Sequence, residues 1–215
     1  MIGARVAKGT RLRCEGDESN ALFYVADGWL AVSKSLEDGE RQILDFILPG
    51  ETYDPTAADG RTSFVEIEAL SDAVVVTTDR AVWARLLRHY RDLWDAESLR
   101  DIAAHARQSE RMLRLGKCSA ETRVAYALIE LCLRLSACAT PNASAFHVPL
   151  GQQQLVDFIG LSSVHVCRTL RRLARQGIIT TGDHMNITIH DVAALADLAG
   201  VDLAVLRAEI IPSVA

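Results

Sequence analysis

Cysteine is scarce and scattered: Cys14, Cys118, Cys132, Cys138 and Cys167 are odd in number and contain no CxxC pair. A disulfide framework is therefore not expected, and reduced thiols are. A zinc site or an iron–sulfur cluster needs several thiolates or imidazoles close together, and no local stretch offers them, so neither is expected. Cys132 and Cys138 read as small buried hydrophobes. Long apolar runs are missing too. Val74 to Val76, and Leu128 to Leu133 with Glu130 inside it, fall far short of the ~18 residues that a bilayer span requires. The opening MIGARVAKGT lacks the apolar core of a signal peptide, and a cytoplasmic protein is expected. There is no GxSxG, HExxH or GxxxxGK pattern, so an enzyme is not expected.

What is present suits a globular chain with two modest domains: 215 residues, 49% hydrophobic and 24% charged. Its net charge of −5 argues against a surface that coats nucleic acid indiscriminately, while leaving room for a local basic patch. From Thr10 to about Thr78 short apolar runs alternate with turns. Asp27-Gly28 and Asp38-Gly39 each predict a hairpin, and two further strands flank Ser71-Asp72. Turns at this interval predict a β-barrel or sandwich. Helix takes over after Asp79, a predicted N-cap, with AVWARLLRHY followed by a long helix over about 91–115. Leu99, Ile102, Ala106, Ser109 and Leu113 recur at spacings of three and four, a narrow stripe that fits either the chain's own barrel or a second copy of the helix.

Gly116-Lys117 interrupts that pattern as a candidate hinge, and Ser119 is placed to cap the next helix, whose apolar face carries Val124, Leu128, Leu131, Cys132 and Leu135. The division expected is 1–117 and 118–215, with TPNASA at 140–145 as a loop. In GQQQLVDFIGLSSVHVCRTLRRLARQG, one short helix turns Leu155, Phe158 and Ile159 inward and stops at Gly160; Ser162 then caps another. This is the helix-turn-helix arrangement. On the second helix Val166, Leu170 and Leu173 share one side, and Val164, Arg168, Arg171, Arg172 and Arg175 the other. A solvated face would normally mix both signs, yet residues 161–177 contain no Asp or Glu. Unopposed arginines predict a polyanionic partner, double-stranded DNA, whose major groove admits a helix. Ser163, Val164, His165, Cys167 and Arg168 are the candidate base readers; Arg171, Arg172 and Arg175 are candidate phosphate contacts. IITTGDHMNITIHD then predicts a hairpin wing around Gly182-Asp183, with His184 at its tip.

The order of these parts resembles the Crp/Fnr family of bacterial transcription regulators. The resemblance rests most on QQLVDFIGLSSVHVCRTLRRLARQGII, and also on KGTRLRCEGDESNALFYVADGWLAV with its Gly16-Asp17 and Gly28 turns. It implies an α+β chain: an N-terminal antiparallel jelly-roll barrel of the cyclic-nucleotide-binding kind, a long dimerisation helix and a C-terminal winged helix-turn-helix. It further implies a homodimer on a two-fold operator, with a small-molecule effector and RNA polymerase as further candidate partners. For cyclic AMP the family's pattern falls on Gly50, Glu51, Arg61 and Thr62, with Gln108 and Ser109 near the purine. Pro55 and TYDP depart from the usual cassette helix there. Val164 stands where many members have Glu, and cannot accept a hydrogen bond from cytosine. The alternative function is a sensor or protein-interaction module that does not touch DNA.

Overall fold

The structure, a computed structural model, describes residues 2–18, 20–138, 146–148, 150–182 and 187–212. It divides into two compact units, Met1–Asp95 and Ala96–Ala215. The division falls inside the long helix, so its residues from Ala96 onward pack with the second unit.

The first unit holds two four-stranded antiparallel sheets. One is ordered β1 (Ile2–Val6), β8 (Ala73–Asp79), β3 (Ala21–Asp27), β6 (Thr52–Tyr53); the other β2 (Arg11–Arg13), β7 (Glu66–Ala69), β4 (Leu30–Ser35), β5 (Arg41–Ile47). Alternating apolar residues close a core between them, including Phe23, Val25, Leu30, Val32, Ile47, Ile67 and Val75. The turn at Asp38-Gly39 is a hairpin, with Ser35 opposite Arg41 and Gly39 at φ 89°.

The turn at Asp27-Gly28 is not a hairpin. β3 pairs with β8 and β6, whereas β4 pairs with β5 and β7, so the chain crosses between sheets there. It crosses back between β7 and β8, at Ser71-Asp72. The two crossings are tied together: Trp29 N–H donates to Ser71 Oγ at 3.0 Å, and Leu70 N–H donates to the Trp29 carbonyl at 2.8 Å. Gly28 sits at φ 81°, and a Cβ there would lie 2.4 Å from the Asp72 carbonyl oxygen. Glycine is needed at this corner for close approach as well as for its dihedral angles.

Helix α1 (Arg80–His89) begins where expected, the Asp79 carboxylate accepting from the N–H groups of Ala81 and Val82 at 2.7 and 3.2 Å. Helix α2 (Arg91–Lys117) continues through Gly116-Lys117, so the proposed hinge lies within its last turn and the helical break comes at Cys118–Ser119. Ser119 Oγ accepts from the Thr122 N–H at 3.2 Å and opens α3 (Ala120–Cys138). That helix buries more than one face. From Val124 to Arg134 every residue is buried, Glu130 and Arg134 included, which marks it as the central element of the second unit. Burial pushes the Cys132 thiol up to about 12, so it stays protonated and packs as a small apolar group.

Around α3 stand α4 (Gln152–Ile159), α5 (Ser163–Arg175), α6 (Val192–Ala199), α7 (Leu203–Ile210) and a three-stranded sheet. That sheet is ordered β10 (Ile179–Thr181), β11 (Ile187–Ile189), β9 (Phe146–Val148). The expected loop at 140–145, and His184 at the wing tip, lie outside the described residues.

Candidate DNA interface

Helix α4 is built to stop. Gly160 takes the left-handed conformation at φ 60°, which ends the helix without a Cβ penalty. Arg123 of α3 donates from Nη2 to the carbonyl oxygens of Ile159 and Gly160 at 2.7 and 3.1 Å, neutralising the negative end of the helix. Desolvation lowers the pKa of this guanidinium, an effect the nearby Cys118 opposes. The chain then reverses into α5. Ser162 occupies the N-cap position, but its hydroxyl does not cap the backbone as expected. It meets His165 Nδ1 at 2.9 Å instead, turning that imidazole back toward the turn.

Val166, Leu170 and Leu173 are buried as the spacing predicts, and Thr169 joins them. The Schellman-like bond from the Ile178 N–H to the Leu173 carbonyl closes the helix and sends the chain into β10. The outward side of α5 lines an open groove of about 950 Å³. Ser163, Val164, Cys167, Arg168, Arg171 and Arg175 meet there, with Val164 63% exposed. Among the described residues no carboxylate pairs with Arg168 or Arg171.

Two predicted contacts stand apart from that groove. His165 is engaged by Ser162, and Arg172 Nη1 lies 2.6 Å from Glu121 Oε2 at the start of α3. The carboxylate that the local sequence lacks is thus supplied from 51 residues away. Conversely, Gln152 and Thr181 line the groove and sequence reasoning missed them. Gln152 also donates from Nε2 to the Ser163 carbonyl at 3.2 Å, linking the starts of α4 and α5. Its place at the opening of the QQQ run was the available signal.

The cyclic-nucleotide pattern folds differently. No helix covers residues 51–62. Asp59 accepts from the Arg61 and Thr62 N–H groups at 2.8 and 3.0 Å and from the Thr62 hydroxyl at 2.8 Å. These bonds lower its pKa, the Thr62 N–H bond most, then the Arg61 N–H, then the Thr62 hydroxyl; desolvation opposes them, and the Arg61 charge adds least. The loop therefore keeps these bonds at neutral pH and loses them only as pH falls through a value below the ordinary carboxylate range. Glu51 Oε2 accepts from the Leu48 N–H at 2.9 Å, and Gly50 holds φ 88° in the same turn. The backbone N–H groups of Arg61 and Thr62 and the Thr62 hydroxyl, candidate donors to a cyclic phosphate, are thus already bonded within the loop. Gln108 and Ser109 are exposed on α2, in the second unit, and the Ser109 hydroxyl donates to the His105 carbonyl at 2.9 Å.

A family profile described as "Cyclic nucleotide-binding domain" matches residues 4–90, and one described as "Crp-like helix-turn-helix domain" matches residues 122–198. The nitrogen fixation regulation protein FixK of Rhizobium meliloti is 25% identical over 190 residues, 88% of this chain and 83% of that protein. The transcriptional activator protein FnrA of Stutzerimonas stutzeri is 28% identical over 204 residues, 92% and 80% of the two chains. In fold, FixK2 from Bradyrhizobium japonicum superposes with a TM-score of 0.76 at 23% identity, covering 94% of this chain and 98% of that one. With a jelly roll in the first unit and a winged helix-turn-helix in the second, the chain belongs to the Crp/Fnr family of DNA-binding transcription regulators.

Proposed function

We propose that the chain works as a homodimer on a two-fold operator, reading bases in the major groove with α5. In this reading residues 1–117 form the sensing barrel with its dimerisation helix, and residues 118–215 the DNA-binding domain. The observation that carries it is the arginine side of α5, where Arg168, Arg171 and Arg175 share a groove and the first two meet no carboxylate among the described residues. Arg168, nearest the helix start of the three, is the base reader, because a guanidinium donates two hydrogen bonds to guanine O6 and N7. Val164 supplies apolar contact to a thymine methyl, Ser163 and Cys167 complete the reading edge, and Arg171 and Arg175 hold phosphates. His165 and Arg172 hold the helix in place.

Dimerisation rests on α2. Ile102, Met112 and Leu113 are 64%, 71% and 54% exposed there, large apolar side chains left to water on one side of the helix. The cassette around Asp59 supports a regulator that takes no cyclic nucleotide at that site. The name of the S. stutzeri relative supports activation, and so a meeting with RNA polymerase, as the sense of control.

Fluorescence anisotropy on an operator selected from random DNA tests the reading. Arg168→Ala is expected to cost ~1–3 kcal/mol per half-site and to relax preference at one base position of each half-site. Unchanged affinity and preference would favour the alternative module that contacts protein.

A further inference from the structure

Helix α2 carries a second, inward face within the second unit. At about 100° per residue, Arg107, Arg111 and Arg114 fall within one narrow arc, opposite Ile102, Ser109, Met112 and Leu113. Arg111 stands at the centre of the inward contacts. Its Nε and Nη2 donate to Glu130 Oε2 and Oε1 of α3 at 2.9 and 3.1 Å, a two-pronged link. Its guanidinium carbon also lies 5.0 Å from the ring centroid of Phe158, a buried residue of α4. Glu130 is fully buried, and Arg134 Nη1 lies 3.6 Å from the same Oε1 that Arg111 Nη2 reaches. One turn later Arg114 lies 3.9 Å over the Tyr126 ring of α3. One turn earlier Arg107 donates to the Ile210 carbonyl at 3.3 Å, at the end of α7.

Such a cluster is a poor way to gain stability. Desolvating these ions costs as much as their attraction returns, and apolar groups of the same volume would hold the helices together as well or better. What apolar packing lacks is direction. A bidentate guanidinium–carboxylate pair adds geometric specificity to how one helix is rotated against another, because turning either helix displaces both hydrogen bonds together. We propose that Arg111, held between Glu130 and Phe158, is a positioning residue that locks the rotation of α2 about its axis to the helix-turn-helix, and so sets the separation of the two recognition helices. The inference rests on the homodimer reading above: the outward stripe decides how two α2 helices meet, and Arg111 decides where each α5 stands relative to that stripe.

Selection of bound sites from random DNA, run on the full chain, tests this with Arg111→Lys and with the triple variant Arg111→Met, Glu130→Leu, Arg134→Met. Lysine keeps a charge for Glu130 but lacks the fork and the plane over Phe158. Wild type is expected to yield two half-sites at one fixed spacing. Both variants are expected to stay dimeric in sedimentation and to select the same half-site sequence, at scattered spacings. Their affinity for the wild-type spacing should fall roughly tenfold or more, the scale of one lost positioning contact. Folded, dimeric variants that retain the wild-type spacing would overturn the proposal. So would loss of the half-site sequence itself, or failure of both variants to fold, since either makes Arg111 a structural residue. A wild type that is monomeric, or that selects single half-sites, defeats the homodimer reading instead.

Discussion

Four arginines share the outer side of α5, but their surroundings divide them. Arg168, Arg171 and Arg175 line the groove, while Arg172 is drawn to Glu121, with its side chain 53% exposed. An ion pair at that exposure contributes ~0–1 kcal/mol to stability, so its role is to steady the helix rather than to hold the fold. The salt dependence of operator binding should separate the two kinds. Arg171→Ala is expected to reduce the slope of log affinity against log salt by about 1.8, the share of two phosphate contacts, one from each protomer of the proposed dimer. Arg172→Ala should leave the slope unchanged. Equal slopes for both variants would return Arg172 to the phosphate-contacting group.

Among the elements, the corner between β3 and β4 and the loop 51–62 decide what the jelly roll can do. Gly28 and Gly39 both hold positive φ, at 81° and 89°, but only at Gly28 would a Cβ meet backbone, the Asp72 carbonyl at 2.4 Å. Gly39→Ala is therefore expected to cost ~1–2 kcal/mol from its dihedral angles alone. Gly28→Ala should cost clearly more, because the two crossings must part to admit the methyl group. Urea denaturation of both variants measures the difference; equal midpoints would mean that the corner yields freely. In the loop, Asp59 already occupies the N–H groups of Arg61 and Thr62. Cyclic AMP is accordingly expected to leave both melting temperature and operator affinity unchanged. A rise in either, abolished by Arg61→Ala, would show that the loop opens for the nucleotide.

For the molecule as a whole, the proposed homodimer places its seam on α2. Ile102 and Leu113 are exposed in the single chain, so placing glutamates there costs the protomer little while burying charge in any dimer seam. The double variant Ile102→Glu, Leu113→Glu is expected to keep the wild-type melting profile of the protomer, to sediment as a monomer and to lose operator binding by a hundredfold or more, the order of gain that two linked half-sites provide. A variant that remains dimeric would move the seam elsewhere.

The order of elements, the inward residues of α5 and the arginine side of that helix were legible in the chain. Helical periodicity and capping are local, and a few residues suffice to state them. Which strands pair was not legible. Asp27-Gly28 has the composition of a hairpin turn, and only the partners available to β3 and β4 made it a crossing between sheets. Pairings between residues far apart in the chain were decided in the same way. Glu121 reaches Arg172, Glu130 reaches Arg111, and Gln152 reaches the groove only once α3 and α4 have packed against α5 and α2. The sequence determined which surfaces are basic and which are apolar; tertiary packing decided which charges stay free, because a guanidinium is neutralised by whatever carboxylate the fold brings within hydrogen-bonding distance, however remote along the chain.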